Sequence, residues 1–326
     1  MRKVPEFFIA TVLALLFTVA LTYLTLEIPN VINKFLLNIF PEYGAGEWLE
    51  AATMLESLRP FGYISFTAML ILIVTGFVVK RGWLTTLGSI ALYLPTFGYF
   101  AFTMFFLVGI GVLRVLWLPL LDLSPNVLRL GEIVYLPFTA LAFLFAPVVL
   151  TTGVSAAELY IPFSFIVMGL GLAVFLLGIL TWLYGSFKGF EIIDFGIYKH
   201  SRHPQYLGFL LWSYGLLLLA NLVGAPKGGY VPPPSLPWLF LALTIVGVTL
   251  HEENIMVKNH GEKYDAYREK TPLMFPLPKK LSAVIVAPAK GVMKKNWPEN
   301  GKEIAFIITV YGGMLVLSSL PSVLFL

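Results

Sequence analysis

The sequence predicts an all-α, polytopic transmembrane protein of eight or nine spans, and three observations predict it. Of 326 residues, 58% are hydrophobic and only 12% charged. The mean hydropathy is +0.84. A water-soluble fold of this length could not cover itself with so few charges. Third, the apolar residues fall into blocks of membrane-crossing length, where roughly 20 residues span a hydrocarbon core of about 30 Å.

Taken in order, the blocks are 6–26, 61–79, 86–121, 132–154, 161–184, 205–222, 236–254 and 303–323. The first follows "MRKVP" and has no small-residue cleavage signal after it, so it reads as a retained span. The 86–121 block is too long for one crossing: either "LPTFG" at 94–98 divides it in two, or a single helix is followed by an interfacial piece through "VLRVLWLPLL". The organisation expected is N-terminal spans over 1–184, a helical hairpin and the segment after it over 185–280, and a basic loop with a last span over 281–326.

Charge orients the spans. Ten of the 22 Lys and Arg residues lie between Lys258 and Lys302, whereas 27–60 carries five glutamates against one lysine and one arginine. Basic segments favour the cytoplasmic side and anionic headgroups, which places the N-terminus and both flanks of the 205–254 hairpin there and its turn, "GAPKGGYVPPPS", outside. The basicity is that of a membrane surface, and no nucleic-acid partner is expected. An even number of spans must then precede residue 185, which favours dividing the 86–121 block. Cysteine is absent and there are four histidines, which excludes disulfides and thiolate chemistry and leaves little for a metal site, so none is expected.

Ionisable residues gather at the two cytoplasmic ends of the hairpin. "GIYKHSRHPQYLG" leads into the first arm, with Pro204 suited to the first helical turn and Arg202 and His203 at the helix mouth. Unpaired amides and the dipole there favour a carboxylate or phosphate; simple snorkelling of boundary cations is the competing reading. The return arm, 236–250, has only 15 apolar residues, about 22 Å of helix. It must either tilt little in a thin region or continue into "HEENIMV", and continuation would bring Glu252 and Glu253 close to the boundary beside Arg202 and His203. Two carboxylates near hydrocarbon need partners, unless they lie on solvated surface. Tyr264 and Tyr267 share one face of a short helix after the turn at His260 and Gly261, as membrane anchors or as walls of a site.

Together these pieces resemble the C-terminal signature of the isoprenylcysteine carboxyl methyltransferase and phospholipid methyltransferase group of integral membrane enzymes. The matching residues are Gly196 and Tyr198; Arg202, His203, Pro204, Tyr206 and Gly208; Glu252 and Glu253; Gly261, Tyr264 and Tyr267; and Pro272 and Pro276. Where the family often carries an arginine before the glutamate pair, this chain has "IVGVTLH".

The resemblance implies S-adenosyl-L-methionine in a pocket at the cytoplasmic edge and a lipidic or prenylated acceptor arriving from the bilayer, with no obligate protein partner. It makes Tyr198, Arg202, His203, Tyr206, Glu252, Glu253, Tyr264 and Tyr267 candidate cofactor-binding residues, and His200 is added beside them. Arg202 and Glu253 are the catalytic candidates, Arg202 as the anchor of the donor carboxylate and Glu253 as proton acceptor. The chemistry is compatible: the donor needs a cation for its carboxylate, a carboxylate for its ammonium or ribose, and aromatic walls. Two other readings stay open: an NADPH-dependent membrane sterol or isoprenoid reductase, whose family shares a related Arg-His-Pro element, and a lipid-binding or transport protein without catalysis.

Overall fold

The computed structural model describes residues 5–40, 48–105, 112–222, 235–295 and 297–325. Their regular structure is all helical, with no strand among them. They form α1 (Glu6–Thr22), α2 (Ile28–Leu36), α3 (Trp48–Val78), α4 (Gly82–Phe105), α5 (Leu118–Leu123), α6 (Leu136–Thr152), α7 (Ala156–Phe187), α8 (Pro204–Leu222), α9 (Ser235–His260), α10 (Glu262–Lys270), α11 (Lys279–Met293) and α12 (Gly301–Phe325). Among the described residues, six helical stretches are long and apolar enough to cross a membrane: Glu6–Leu36, Ala52–Gly76, Asn126–Thr152, Glu158–Phe187, Ser235–His260 and Gly301–Pro321. The protein is therefore an all-helical membrane protein, with fewer such stretches than the eight or nine expected. Large side chains such as Phe143, Leu144 and Leu150 stand exposed, as lipid-facing residues must.

Two expectations need correction. Residues 94–98 do not break the chain, because α4 runs through Pro95. Proline is tolerated in apolar helices where neighbouring groups satisfy the freed carbonyl. Nor is 27–60 simply a connection between spans. A single π-helical turn, Tyr23–Glu27, joins α1 to α2, and α3 starts at Trp48 and continues through Pro60. The stretch expected to form the outer turn of the hairpin, 223–234, lies outside the described residues.

The chain divides into two compact units. One is Met1–Tyr23, Glu158–Leu216 and Ala242–Met314; the other is Leu24–Ala157, Leu217–Leu241 and Leu315–Leu326. In the second, Trp117 donates its indole N–H to the Leu92 carbonyl at 2.9 Å and Ser235 donates to the Leu128 carbonyl at 3.0 Å. An exposed cluster there joins Arg59 to Glu56 and Asp122, with Tyr63 also donating to Asp122.

The first unit carries the signature residues. Ala10 and Ala14 of α1 pack with Leu183 of α7, the Phe7 and Tyr184 rings meet edge to face at 5.9 Å, and Lys188 lies 2.6 Å from Glu6. The start of α1 is thus beside the end of α7, so the N-terminus and the 188–203 connection share one side. Helices α7 and α8 approach through glycine. A Cβ on Gly208 would meet the Phe175 amide nitrogen at 2.4 Å, and one on Gly171 would meet the Trp212 nitrogen at 2.3 Å. Gly208 of the signature is therefore a helix-packing residue, the small side chain that lets two backbones touch.

Candidate functional site

The site begins with backbone. A 3-10 turn, Gly196–Lys199, precedes α8. The next residues are then held by the segment after α10: the Arg202 amide donates to the Pro272 carbonyl and the His203 amide to the Leu273 carbonyl, both at 3.1 Å. The irregular "TPLMFP" stretch is thus a partner strand of backbone for the helix mouth. On the other side α9 is continuous for 26 residues, about 39 Å, so Glu252 and Glu253 ride on the same rigid helix as the apolar return arm. Gly261, at φ +53°, makes the turn that folds α10 back against them.

Glu253 is the hub. One oxygen, Oε2, lies 2.6 Å from Arg202 Nη1. The other, Oε1, receives the Tyr264 hydroxyl at 2.7 Å and faces His203 Nε2 at 2.8 Å. The Arg202 and Glu253 side chains are 0% and 2% exposed. Glu252, 42% exposed, accepts the Tyr206 hydroxyl at 2.6 Å and lies 3.5 Å from His203 Nδ1. Both ring nitrogens of His203 therefore face carboxylate oxygens, and the imidazolium, which donates from both, is the form that fits. Burial works against that charge, but the two glutamates outweigh it and hold the His203 pKa above its ordinary value. Burial keeps the Tyr198, Tyr264 and Tyr267 hydroxyls well above the usual phenol range, so all three stay neutral.

Tyr267 braces the approach by donating to the Tyr198 carbonyl at 2.7 Å, and the Tyr198 hydroxyl accepts from Gln205. The structure thus gathers Arg202, His203, Tyr206, Glu252, Glu253 and Tyr264 into one network, with Tyr198 and Tyr267 as its flank. It does not gather His200, which lies exposed at the end of the 3-10 turn. Among the described residues no group of acidic and histidine side chains is arranged to hold a metal.

Two residues of the site were not anticipated. Trp297, in the loop between α11 and α12, has its ring centre 4.9 Å from Arg202 Cζ and 4.8 Å from Arg268 Cζ. Arg268 in turn pairs with Asp265 at 2.6 Å. A lone tryptophan in "KKNWPEN" is the signal the sequence offered, and nothing local ties it to a motif so far upstream. Beside the network a cavity of about 440 Å3 opens, lined by Asp194, Lys199, Lys263, Tyr267, Lys270 and Thr271 among others.

One feature bears directly on ligand binding. Although Arg202 is wholly buried and in ionic contact with Glu253, none of its three guanidinium nitrogens has an aligned hydrogen-bond acceptor, and Glu253 Oε2 has no aligned donor. A buried guanidinium in that condition is costly, and a carboxylate is the group whose geometry matches it. The donor set therefore fits an amino-acid ligand of the kind the resemblance implies.

The family model described as "Protein of unknown function (DUF1295)" matches residues 138–271. A Schizosaccharomyces pombe protein named protein-S-isoprenylcysteine O-methyltransferase is 34% identical over 91 residues, 28% of this chain and 35% of that one. A Crocosphaera subtropica methanethiol S-methyltransferase is 30% identical over 101 residues, 29% and 34% of the two chains. The Arabidopsis thaliana protein-S-isoprenylcysteine O-methyltransferase B is 31% identical over 83 residues, 25% and 38%. The chain spans about a third of the length of these relatives. No solved structure matches. Over a quarter to under a third of its length, the chain is similar to methyltransferases of the isoprenylcysteine type, in keeping with its signature residues.

Proposed function

We propose that the protein is an integral membrane methyltransferase that takes its methyl group from S-adenosyl-L-methionine and delivers it to a lipidic or prenylated acceptor at the cytoplasmic face. The observation that carries this reading is the buried, incompletely hydrogen-bonded guanidinium of Arg202 at the mouth of α8. It is the anchor for the donor's carboxylate. Glu252, half-exposed and tied to Tyr206, is the accessible carboxylate for the ammonium. The cavity bordered by Tyr267 supplies Asp194 for ribose hydroxyls. When bound, the donor supplies an already activated methyl group, so alignment matters more than strong base catalysis.

This assignment changes the role first expected of Glu253. A carboxylate already facing Arg202, His203 and Tyr264 is poorly placed to accept a further proton. Glu253 therefore orients Arg202 and His203, and any acceptor that must lose a proton would give it to Glu252 or to water. The names of the relatives, one acting on methanethiol and two on isoprenylcysteine, support a shared donor chemistry with acceptors that differ. An apolar tail can stay in the bilayer while its head reaches the network. In the same reading α4 and α8 also cross the membrane, raising the count to eight.

Ligand-dependent thermal protection of the purified protein in lipid nanodiscs tests the reading. Protection by S-adenosylmethionine or S-adenosylhomocysteine, and none by NADPH, is the expected result. Protection by NADPH alone would select a reductase instead. Protection by neither would remove both enzymatic readings.

A further inference from the structure

Trp297, on which Arg202 and Arg268 meet, has no counterpart in the signature that gave the site its other residues. The matched family segment ends at residue 271, and Trp297 lies beyond it, on the stretch that leads to α12. We infer that Trp297 is a positioning residue of the donor site: its indole holds the Arg202 guanidinium so that the N–H groups stay presented to a ligand carboxylate. This inference rests on the methyl-donor reading and deepens it, because it makes the segment after residue 280 part of the site.

The argument starts from how Trp297 is itself held. After α11 the chain turns at Lys294, which has φ +57°. Before α12 it is fixed by a reciprocal cap. The Glu303 amide donates to Asn300 Oδ1 at 3.0 Å, and the Glu303 carboxylate receives the Glu299 amide at 2.8 Å. Lys295 adds contacts to Glu299 at 2.8 Å and Glu303 at 3.2 Å. The next residue, Pro298, is buried. Trp297 therefore sits on a braced loop, anchored on both sides, and acts as a wall.

Its partner has the complementary need. A cation over an aromatic face is attracted by the ring quadrupole, most strongly where water is excluded, and Arg202 is fully covered. An indole face offers no lone pair to the guanidinium N–H groups, so the contact stabilises the charge while leaving its hydrogen-bonding capacity open. That is the condition observed, since all three nitrogens lack an aligned acceptor. Glu253 supplies compensating charge off the hydrogen-bonding directions, and Trp297 supplies orientation. Arg268, held by Asp265 and resting on the same ring, fixes the indole from its own side. A ligand carboxylate would then accept from the N–H groups that Arg202 leaves unpaired.

A double-mutant cycle reads this out. The affinity of S-adenosylhomocysteine would be measured by isothermal titration in nanodiscs for the wild type, Trp297→Ala, Trp297→Phe, Arg202→Lys and Trp297→Ala with Arg202→Lys. If Trp297 acts through Arg202, Trp297→Ala weakens binding by roughly three- to thirty-fold, the range of a desolvated cation–π contact. Trp297→Phe recovers much of that loss. In the Arg202→Lys background, where the planar fork is gone, removing Trp297 costs little more, so the two effects are far from additive. A Trp297→Ala protein that melts earlier but binds with unchanged affinity would overturn the inference and leave the donor reading intact. So would an additive cycle, which would mean that Trp297 acts independently of Arg202. A wild-type protein that fails to bind the ligand would overturn the donor reading itself.

Discussion

The protein builds nearly the same set of side chains twice, and the two copies differ in their surroundings. In one unit Arg59 faces Glu56 and Asp122, with Tyr63 donating to Asp122. In the other Arg202 faces Glu253, with His203, Glu252 and Tyr264 around it. The Arg59 and Glu56 side chains are 33% and 63% exposed, against 0% and 2% for Arg202 and Glu253. Solvated charges attract one another weakly and lose little when separated. Buried ones cannot be left alone, and their unsatisfied directions become a demand for a ligand. The difference teaches that burial, more than composition, separates a site from a surface ion cluster.

The largest effect expected from that contrast is on stability. Glu253→Ala, which strands the Arg202 charge, should cost about 3 to 5 kcal/mol. The Arg202→Ala, Glu253→Ala double mutant should lose less than the sum of the singles. Denaturation in mild detergent reads both, and additive losses would show that the pair is not coupled. Next comes Tyr264→Phe, which takes one donor from Glu253 Oε1 while His203 remains. A loss of about 1.5 kcal/mol is the expected scale for a hydrogen bond to a charged group.

The pH profile sharpens the same comparison. Because the folded-state pKa of His203 lies above the ordinary 6.5, its stabilisation is fully present below that value and is lost as pH rises through the folded-state pKa. The melting temperature of the wild type should therefore decline over that window. His203→Gln should flatten the decline, and an unchanged slope would remove His203 from the charge network. Smallest are the exposed groups. His200→Ala should change stability by no more than about 0.5 kcal/mol. Arg59→Ala should leave ligand affinity unaltered and shift the melting temperature less than any variant of the buried network.

Much of the site was legible because its residues repeat a spacing that membrane geometry enforces. The 15 residues at 236–250 are short for a crossing, which left either a thin region or a helix continuing through the glutamates, and α9 is continuous through them. The span pattern was less legible. Pro95 looks like a breaker in sequence, yet α4 passes it, because an apolar helix has little else to become in a bilayer. Trp297 was invisible for a different reason. Its role depends on where α11 returns the chain, and no local period or cap encodes that placement. His200, which the sequence added beside the signature arginine, lies exposed after the 3-10 turn and outside the network.

Binding of S-adenosylhomocysteine to the wild type and to Arg202→Lys, by equilibrium dialysis of labelled ligand against matched nanodiscs, tests the central claim most directly. Lysine keeps the buried charge beside Glu253, and so the fold, but it lacks the fork that receives a carboxylate. The account predicts saturable wild-type binding and at least about a tenfold loss in the variant. Equal affinity in the two proteins would contradict it, because Arg202 would then be a structural ion partner and the donor's carboxylate would have to be held elsewhere.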